Sequence, residues 1–254
     1  MKQKSTLNTL LCSLLGMVLC SQTIYAQKNN PTELERTAGK NLIKINLPAL
    51  AVSNFSFQYE RAIGKKTAVG LGLRIRPEGD LPFKSFLEKQ IDDPETWASF
   101  KDTQLSSFAV SPEIKFYFGK SVFHGFYLAP FVTYATYGGN VTALYGNNNE
   151  NKLPLTGDIT AITGGLKIGG QWALSKSIYL DLFIGPNYGV SNGSLAGSKA
   201  LSQNDQDEVE KFLQDLEDLP LVKVEYDVNA NGAKATFDGP WGGLRGGLSI
   251  GFRF

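Results

Sequence analysis

The chain has 254 residues, 42% of them hydrophobic and 11% aromatic, with 25 basic and 24 acidic side chains and a net charge of +1. So even a balance argues against a nucleic-acid partner, which calls for a basic surplus. The only two cysteines, Cys12 and Cys20, lie in the first stretch of the chain, so the remainder can form neither a disulfide nor a cysteine metal site.

The chain starts with Lys2 and Lys4, an apolar run from Leu7 to Cys20, and "SQTIYA" ending at Ala26. This pattern predicts a cleaved secretory signal peptide over residues 1–26. Leu19 occupies the position where a lipoprotein signal needs a small residue, which argues against lipidation of Cys20. A polar tail follows over residues 27–38, then a single domain over residues 39–254. Beyond the leader no run approaches the ~20 apolar residues of a membrane-spanning helix. Passage through a membrane would therefore require a closed β-barrel.

Eight strands are predicted: Asn41–Ala49, Asn54–Ile63, Thr67–Arg76, Leu105–Phe118, Phe126–Tyr137, Thr156–Leu174, Ile178–Val190 and Trp241–Phe254. Successive strand side chains point to opposite faces. In the third strand Val69, Leu71, Leu73 and Ile75 oppose Arg74 and Arg76. In the fourth, Phe108, Val110, Ile114, Phe116 and Phe118 oppose Glu113 and Lys115. In the sixth, Ile162, Leu166, Ile168 and Trp172 oppose Thr163, Lys167 and Gln171. In the seventh, Ile178, Leu180, Leu182, Ile184 and Tyr188 oppose Tyr179, Asp181, Phe183 and Asn187. The last strand sets Leu244, Leu248, Ile250, Phe252 and Phe254 against Arg245, Gly247, Ser249, Gly251 and Arg253. Alternation leaves the facing of Phe126–Tyr137 open.

Either face could be the inner one. In a soluble sandwich the apolar faces would need a partner layer, and the chain offers only short helices for that. In an eight-stranded barrel the interior is just wide enough for side chains to fill it. Lys44, Glu60, Arg74, Arg76, Glu113, Lys115, Lys167, Asp181 and Arg245 would then point inward as a polar network, paired as buried ions must be. A charge on the lipid face would cost roughly 2–4 kcal/mol at mid-membrane, and almost none falls there. Phe116, Phe118, Phe126, Trp172, Phe252 and Phe254 would form an aromatic girdle at one rim. Pro48, Pro112, Pro130 and Pro186 fall inside the strands, where bulges or strand ends are expected.

Connections at 64–66, 119–125 and 175–177 are short. Those at 77–104, 138–155 and 191–240 are long, and "VSN" is the one short connection on that end. Short turns at one end and long loops at the other fit an outer-membrane barrel. Two loops should carry short helices. "DPETWASF" begins with Asp93 as N-cap and Pro94 at the first helical position. Val209, Phe212, Leu213 and Leu216 follow helical spacing, capped by Asn204. These helices either cover the barrel mouth or offer a surface to an outside partner.

With "GGLRGGLSIGFRF" at its end and segments such as "NLIKINLPALAVSNFSFQYERAIGKK", the region from Lys40 to Phe254 resembles small Gram-negative outer-membrane barrels of the OmpA/OmpX/OmpW-like architecture. The resemblance implies an all-β fold: an eight-stranded antiparallel up-and-down transmembrane β-barrel with two large extracellular loops. It implies that Phe252 and Phe254 form a terminal signal read by the barrel-assembly machinery, with periplasmic chaperones as partners in biogenesis and membrane lipids and lipopolysaccharide as surroundings. No cofactor is expected. Three roles remain open: a structural or interaction protein with a plugged lumen; a narrow passive pore with Arg74, Arg76, Lys167 and Arg245 setting selectivity; and, ranked last for want of a placed histidine, a lipid-modifying outer-membrane enzyme.

Two motifs suggest chemistry. "GVSNG" matches a nucleophile elbow around Ser191, but that motif needs a strand-to-helix turn and a histidine, and His124 is predicted at the opposite end of the barrel. No catalytic residue is therefore assigned. "DVNANGAKATFD" places Asp227, Asn229, Asn231 and Asp238 at calcium-loop positions. Its flanks alternate like strands, and Asn231-Gly232 is a hairpin-turn dipeptide, so a plain β-hairpin is the expectation.

Overall fold

Period-two alternation resolves into nine strands that form one antiparallel sheet in the computed structural model, which describes residues 39–254 apart from 91–96, 99, 147–149 and 218–222. The signal peptide and polar tail predicted over residues 1–38 lie outside the described residues, as do Asp93 and Pro94. The strands are β1 Asn41–Asn46, β2 Phe55–Ala62, β3 Thr67–Asp80, β4 Gln104–Tyr117, β5 Gly125–Tyr145, β6 Asn151–Ala173, β7 Ile178–Ser198, β8 Lys223–Asn229 and β9 Gly232–Arg253. Each strand from β1 to β7 pairs with the next, β7 pairs with β9, and β9 pairs back onto β1. Eight strands thus close a barrel, while β8 lies outside the ring as a hairpin partner of β9.

Closure fixes how far the strands are staggered. From Ile45 the ladder runs through Phe57, Leu73, Val110, Tyr134, Ile162 and Val190 to Pro240. Ile45 itself pairs with Ile250, so the ring closes ten residues further along β9. This shear tilts the strands and sets the barrel's width, which leaves room for side chains rather than a wide channel.

The expected elements differ from the observed ones in several places, among them the loop predicted over 191–240, where β7 runs on to Ser198 and β9 starts already at Gly232. The first strand stops at Asn46, because Pro48 enters a short helix, α1 (Leu47–Leu50), in place of the strand predicted to Ala49. The loop predicted over 138–155 is largely strand, as β5 and β6 stay paired out to Tyr145 and Asn151. The prolines shift no register: β4 and β5 keep step across Pro112 and Pro130, and β6 and β7 across Pro186, with only the intervening pairs missing. The one irregularity along β3 lies between Arg76 and Gly79. In the long loops are α2 (Lys84–Gln90), helical residues Trp97, Ala98 and Phe100, and α3 (Gln203–Glu217). α3 begins behind Ser202 rather than Asn204: the Ser202 hydroxyl accepts from the Asp205 amide at 3.3 Å, and the Asp205 carboxylate accepts from the Ser202 amide at 3.0 Å. That reciprocal pair satisfies two orphan donors at the helix start.

Along the four longest strands the polarity inverts. In the lower part Val132, Tyr134, Ile162, Ile168, Val190 and Leu244 point outward and are exposed, Leu244 by 70%. In the upper part the outward residues are polar, such as Lys152, Thr156, Asn192 and Asp238, while Val141, Ala143, Leu153, Leu155, Ala233 and Ala235 turn inward and are buried. α3 lays Val209 and Leu213 on this inward apolar face, together with Leu201 and Val224, and forms a second core above the barrel.

Candidate functional site

Inward side chains of the lower barrel build a cluster in which three ammonium groups meet three carboxylates. Lys44 bonds both Glu60 and Asp181. Lys115 lies 2.6 Å from Glu60, 2.9 Å from Asp181 and 3.8 Å from Glu113. Lys167 pairs with Glu113, which also accepts from the Gln58 amide. All six ions are at least 95% buried. Such burial is tolerable because the charges cancel and the remaining lone pairs have donors: the Tyr127 hydroxyl donates to Asp181 at 2.7 Å, and the Tyr117 hydroxyl reaches Glu60 at 3.3 Å and the Gln171 carbonyl at 2.7 Å. The Lys115 ammonium also stands 3.9 Å from the centre of the Tyr127 ring.

Glycines on the inward face make room for the large side chains. A Cβ at Gly169 would stand 2.4 Å from Tyr127 Cζ, and one at Gly251 2.6 Å from Lys44 Cγ. Both are closer than real Cβ contacts, so these positions act as sockets.

Below the ions, at the short-turn end, Phe123 folds back from the β4–β5 turn and is fully buried. Its ring meets Tyr117 and Tyr179 edge-on at 6.2 and 6.4 Å, and the Arg253 guanidinium lies 5.2 Å from its centre. Arg253 is held by the Gly39 carbonyl and the Tyr179 hydroxyl, each at 2.7 Å. Phe123 has φ +62°, a left-handed conformation that costs a non-glycine residue about 1–2 kcal/mol. Full burial of the ring contributes about 1.5–3 kcal/mol and outweighs it. Nothing in the sequence pattern singled out Phe123, since a turn has no period; Tyr117 shares the phase of Glu113 and Lys115, which is the signal that could have marked it.

Above the ions, Arg245 donates to the Ser111 and Thr133 hydroxyls at 3.2 and 2.7 Å, and its guanidinium and the Lys167 ammonium each stand 4.8 Å from the centre of the Phe131 ring. Arg76 donates to the Asp80 carbonyl at 2.7 Å. Arg74, Arg76 and Arg245 make no ion pair with any described residue, so the structure separates them from the neutral cluster that holds Lys44, Glu60, Glu113, Lys115, Lys167 and Asp181.

Comparison with known proteins assigns a family to this arrangement. Residues 13–195 match a family described as a protein of unknown function (DUF3575). The chain belongs to this family. No curated protein matches it. Among solved structures it is similar to the N-terminal β-barrel domain of Pseudomonas aeruginosa OprF, with 11% identity and a TM-score of 0.29 over 86% of this chain and all of that one.

In this family member Ser191 donates to the Gly239 carbonyl at 3.4 Å on the upper part of β7, whereas His124 is exposed in the β4–β5 turn at the other end. The two are not brought together. The residues of the calcium-loop match fall on the β8–β9 hairpin. Asp227 accepts from the Asn229 amide group at 3.2 Å, and the Asn229 side chain accepts from the Asn231 backbone at 2.9 Å. Asp227 pairs with Lys234, and Asp238 lies four positions further along β9, opposite Lys223. A shared ion between Asp227 and Asp238 is thus out of register.

Proposed function

We propose that this chain is an integral outer-membrane β-barrel protein whose lumen is closed and whose role, structural or in binding a partner, is exerted through its outward head. The polarity inversion along β5, β6, β7 and β9 carries this reading. Below it the wall is apolar outside and polar inside, as lipid demands; above it the arrangement is that of a water-soluble domain. Phe118, Phe126, Trp172, Phe252 and Phe254, all exposed at the short-turn rim, suit a lipid interface on the periplasmic side. In this reading the signal peptide directs export, and the assembly machinery engages Phe252 and Phe254. Lipids and lipopolysaccharide surround the wall, and the α3 head with the β8–β9 hairpin faces a partner outside.

The pore reading puts Arg74, Arg76, Lys167 and Arg245 along a conducting path. The neutral cluster and the buried Phe123 ring stand across that path, which favours a silent lumen. Mature protein refolded into detergent should migrate as a compact band before boiling and a slower one after. Inserted in a planar bilayer, it should pass no discrete current. Steps that change when Arg74 or Arg245 is neutralised would replace the closed-lumen reading with transport.

A further inference from the structure

The barrel wall is uneven where it closes. β1 has six residues and β2 eight, short of the ~9–11 a tilted strand needs to cross a bilayer, whereas β9 has 22. β1 pairs with β9 only over Ser249–Arg253, and β8 covers only Gly232–Asp238. From Gly239 to Leu248, β9 has β7 on one side and, among the described residues, no strand on the other. α1 packs beside this stretch without a backbone hydrogen bond to it among the described residues. Leu244 and Leu248 belong to the apolar outward face, so part of an unpaired strand edge lies at membrane depth. Lipid tails cannot satisfy such an edge.

The inward side of the same sector carries Arg74, opposite Ser56 near the end of β2, Arg76 just past that end on β3, and Arg245 on β9 itself. The Nε atoms of Arg74 and Arg76 are buried and have no hydrogen-bond partner among the described residues. Glu113, the carboxylate whose charge reaches Arg245, is already bonded to Lys167 and Gln58. Three guanidinium groups with no ion pair among the described residues, next to a polar edge with no described partner strand, have complementary needs. An anion with several acceptor oxygens meets the first, and a tethered polar head group meets the second.

We infer that the upper lumen binds the phosphate of an anionic lipid, which enters sideways from the outer leaflet through the break between α1 and β9. Arginine is the residue suited to this task, since its planar fork bonds phosphate oxygens in pairs. Ile75, Phe108 and Tyr134 lie on the outward face at this height, so the acyl chains remain in the membrane while the phosphate turns inward. This inference rests on the membrane reading above.

The test uses the full mature chain, refolded in neutral detergent and checked for the unboiled compact band. Native mass spectrometry then compares retention of dioleoyl phosphatidate, dioleoyl phosphatidylcholine and inorganic phosphate. The expected result is at least about tenfold stronger retention of phosphatidate than of phosphatidylcholine, lost in Arg74→Gln and Arg245→Gln. Equal retention of the two lipids would overturn the site. So would phosphatidate binding that survives both substitutions in proteins that give the compact band. If a variant does not fold, competition on the wild type decides: inorganic phosphate that binds as well as the lipid would overturn the lipid as source and the lateral route. A chain that gives no compact band and does not insert into vesicles would overturn the membrane reading as well, whereas one that inserts and ignores phosphatidate overturns only this inference.

Discussion

Lys115 Nζ lies 2.9 Å from Asp181 Oδ2, although β4 and β7 stand three places apart around the ring and the two residues are 66 positions apart in sequence. Asp181 also holds Lys44 and the Tyr127 hydroxyl. One carboxylate therefore ties β1, β4, β5 and β7 together across the lumen.

Replacing that carboxylate removes a charge but keeps its shape. Asp181→Asn leaves Lys44 and Lys115 sharing Glu60, and removal of one partner from a buried ion set costs about 3–5 kcal/mol. Urea titration of the folded band should show the loss. Adding Lys115→Met restores the balance of charge and should recover part of it. An Asp181→Asn protein as stable as the wild type would mean that the cluster does not hold the barrel together.

Phe123 should be costly to remove and its backbone strain should be separable from its packing. Phe123→Ala is expected to lose about 3–5 kcal/mol, as for other buried rings. Phe123→Gly should lose roughly 1–2 kcal/mol less, because glycine accepts φ +62° without penalty. Thermal loss of the compact band measures both. Equal losses would show that the left-handed conformation is not under strain.

The head should come apart without the barrel. Val209 and Leu213 are fully buried between α3 and the extended sheet. Leu213→Asp places a charge there, and local opening should follow because the head is held by a core of its own, separate from the residues that fill the lower barrel. Trypsin should then cut the 199–222 region faster, with the compact band unchanged. Simultaneous loss of both would make head and barrel one cooperative unit.

Position along β6 should decide what an added charge does. Ile168 is 60% exposed in the apolar belt, whereas Thr156 is exposed above the inversion. Ile168→Arg should cost roughly 2–4 kcal/mol when the protein is folded into phospholipid vesicles, and Thr156→Arg close to nothing. Equal effects would place the membrane boundary elsewhere or remove it.

Much of this protein follows from alternation alone. Covalent geometry sends successive strand side chains to opposite faces, so Val69 and Arg74, or Ile168 and Lys167, are assigned to their sides by sequence position. The all-β class, the eight-strand ring and the β8–β9 hairpin follow from the same local rule and from turn residues such as Asn231-Gly232. Helical spacing likewise revealed α3, though its start was set by which hydroxyl met which amide, Ser202 rather than Asn204.

Which ion meets which is not a local property. Lys115 reaches Asp181 because the ring closes with an offset of ten residues, and that offset depends on every strand pair at once. The burial of Phe123 depends on the lumen beneath which its turn folds. The strand length lost at Pro48 is a local event, but the unpaired stretch Gly239–Leu248 exists only because β9, some 190 residues later, runs on past β1. The period of the chain therefore determined faces, and closure of the barrel decided partners.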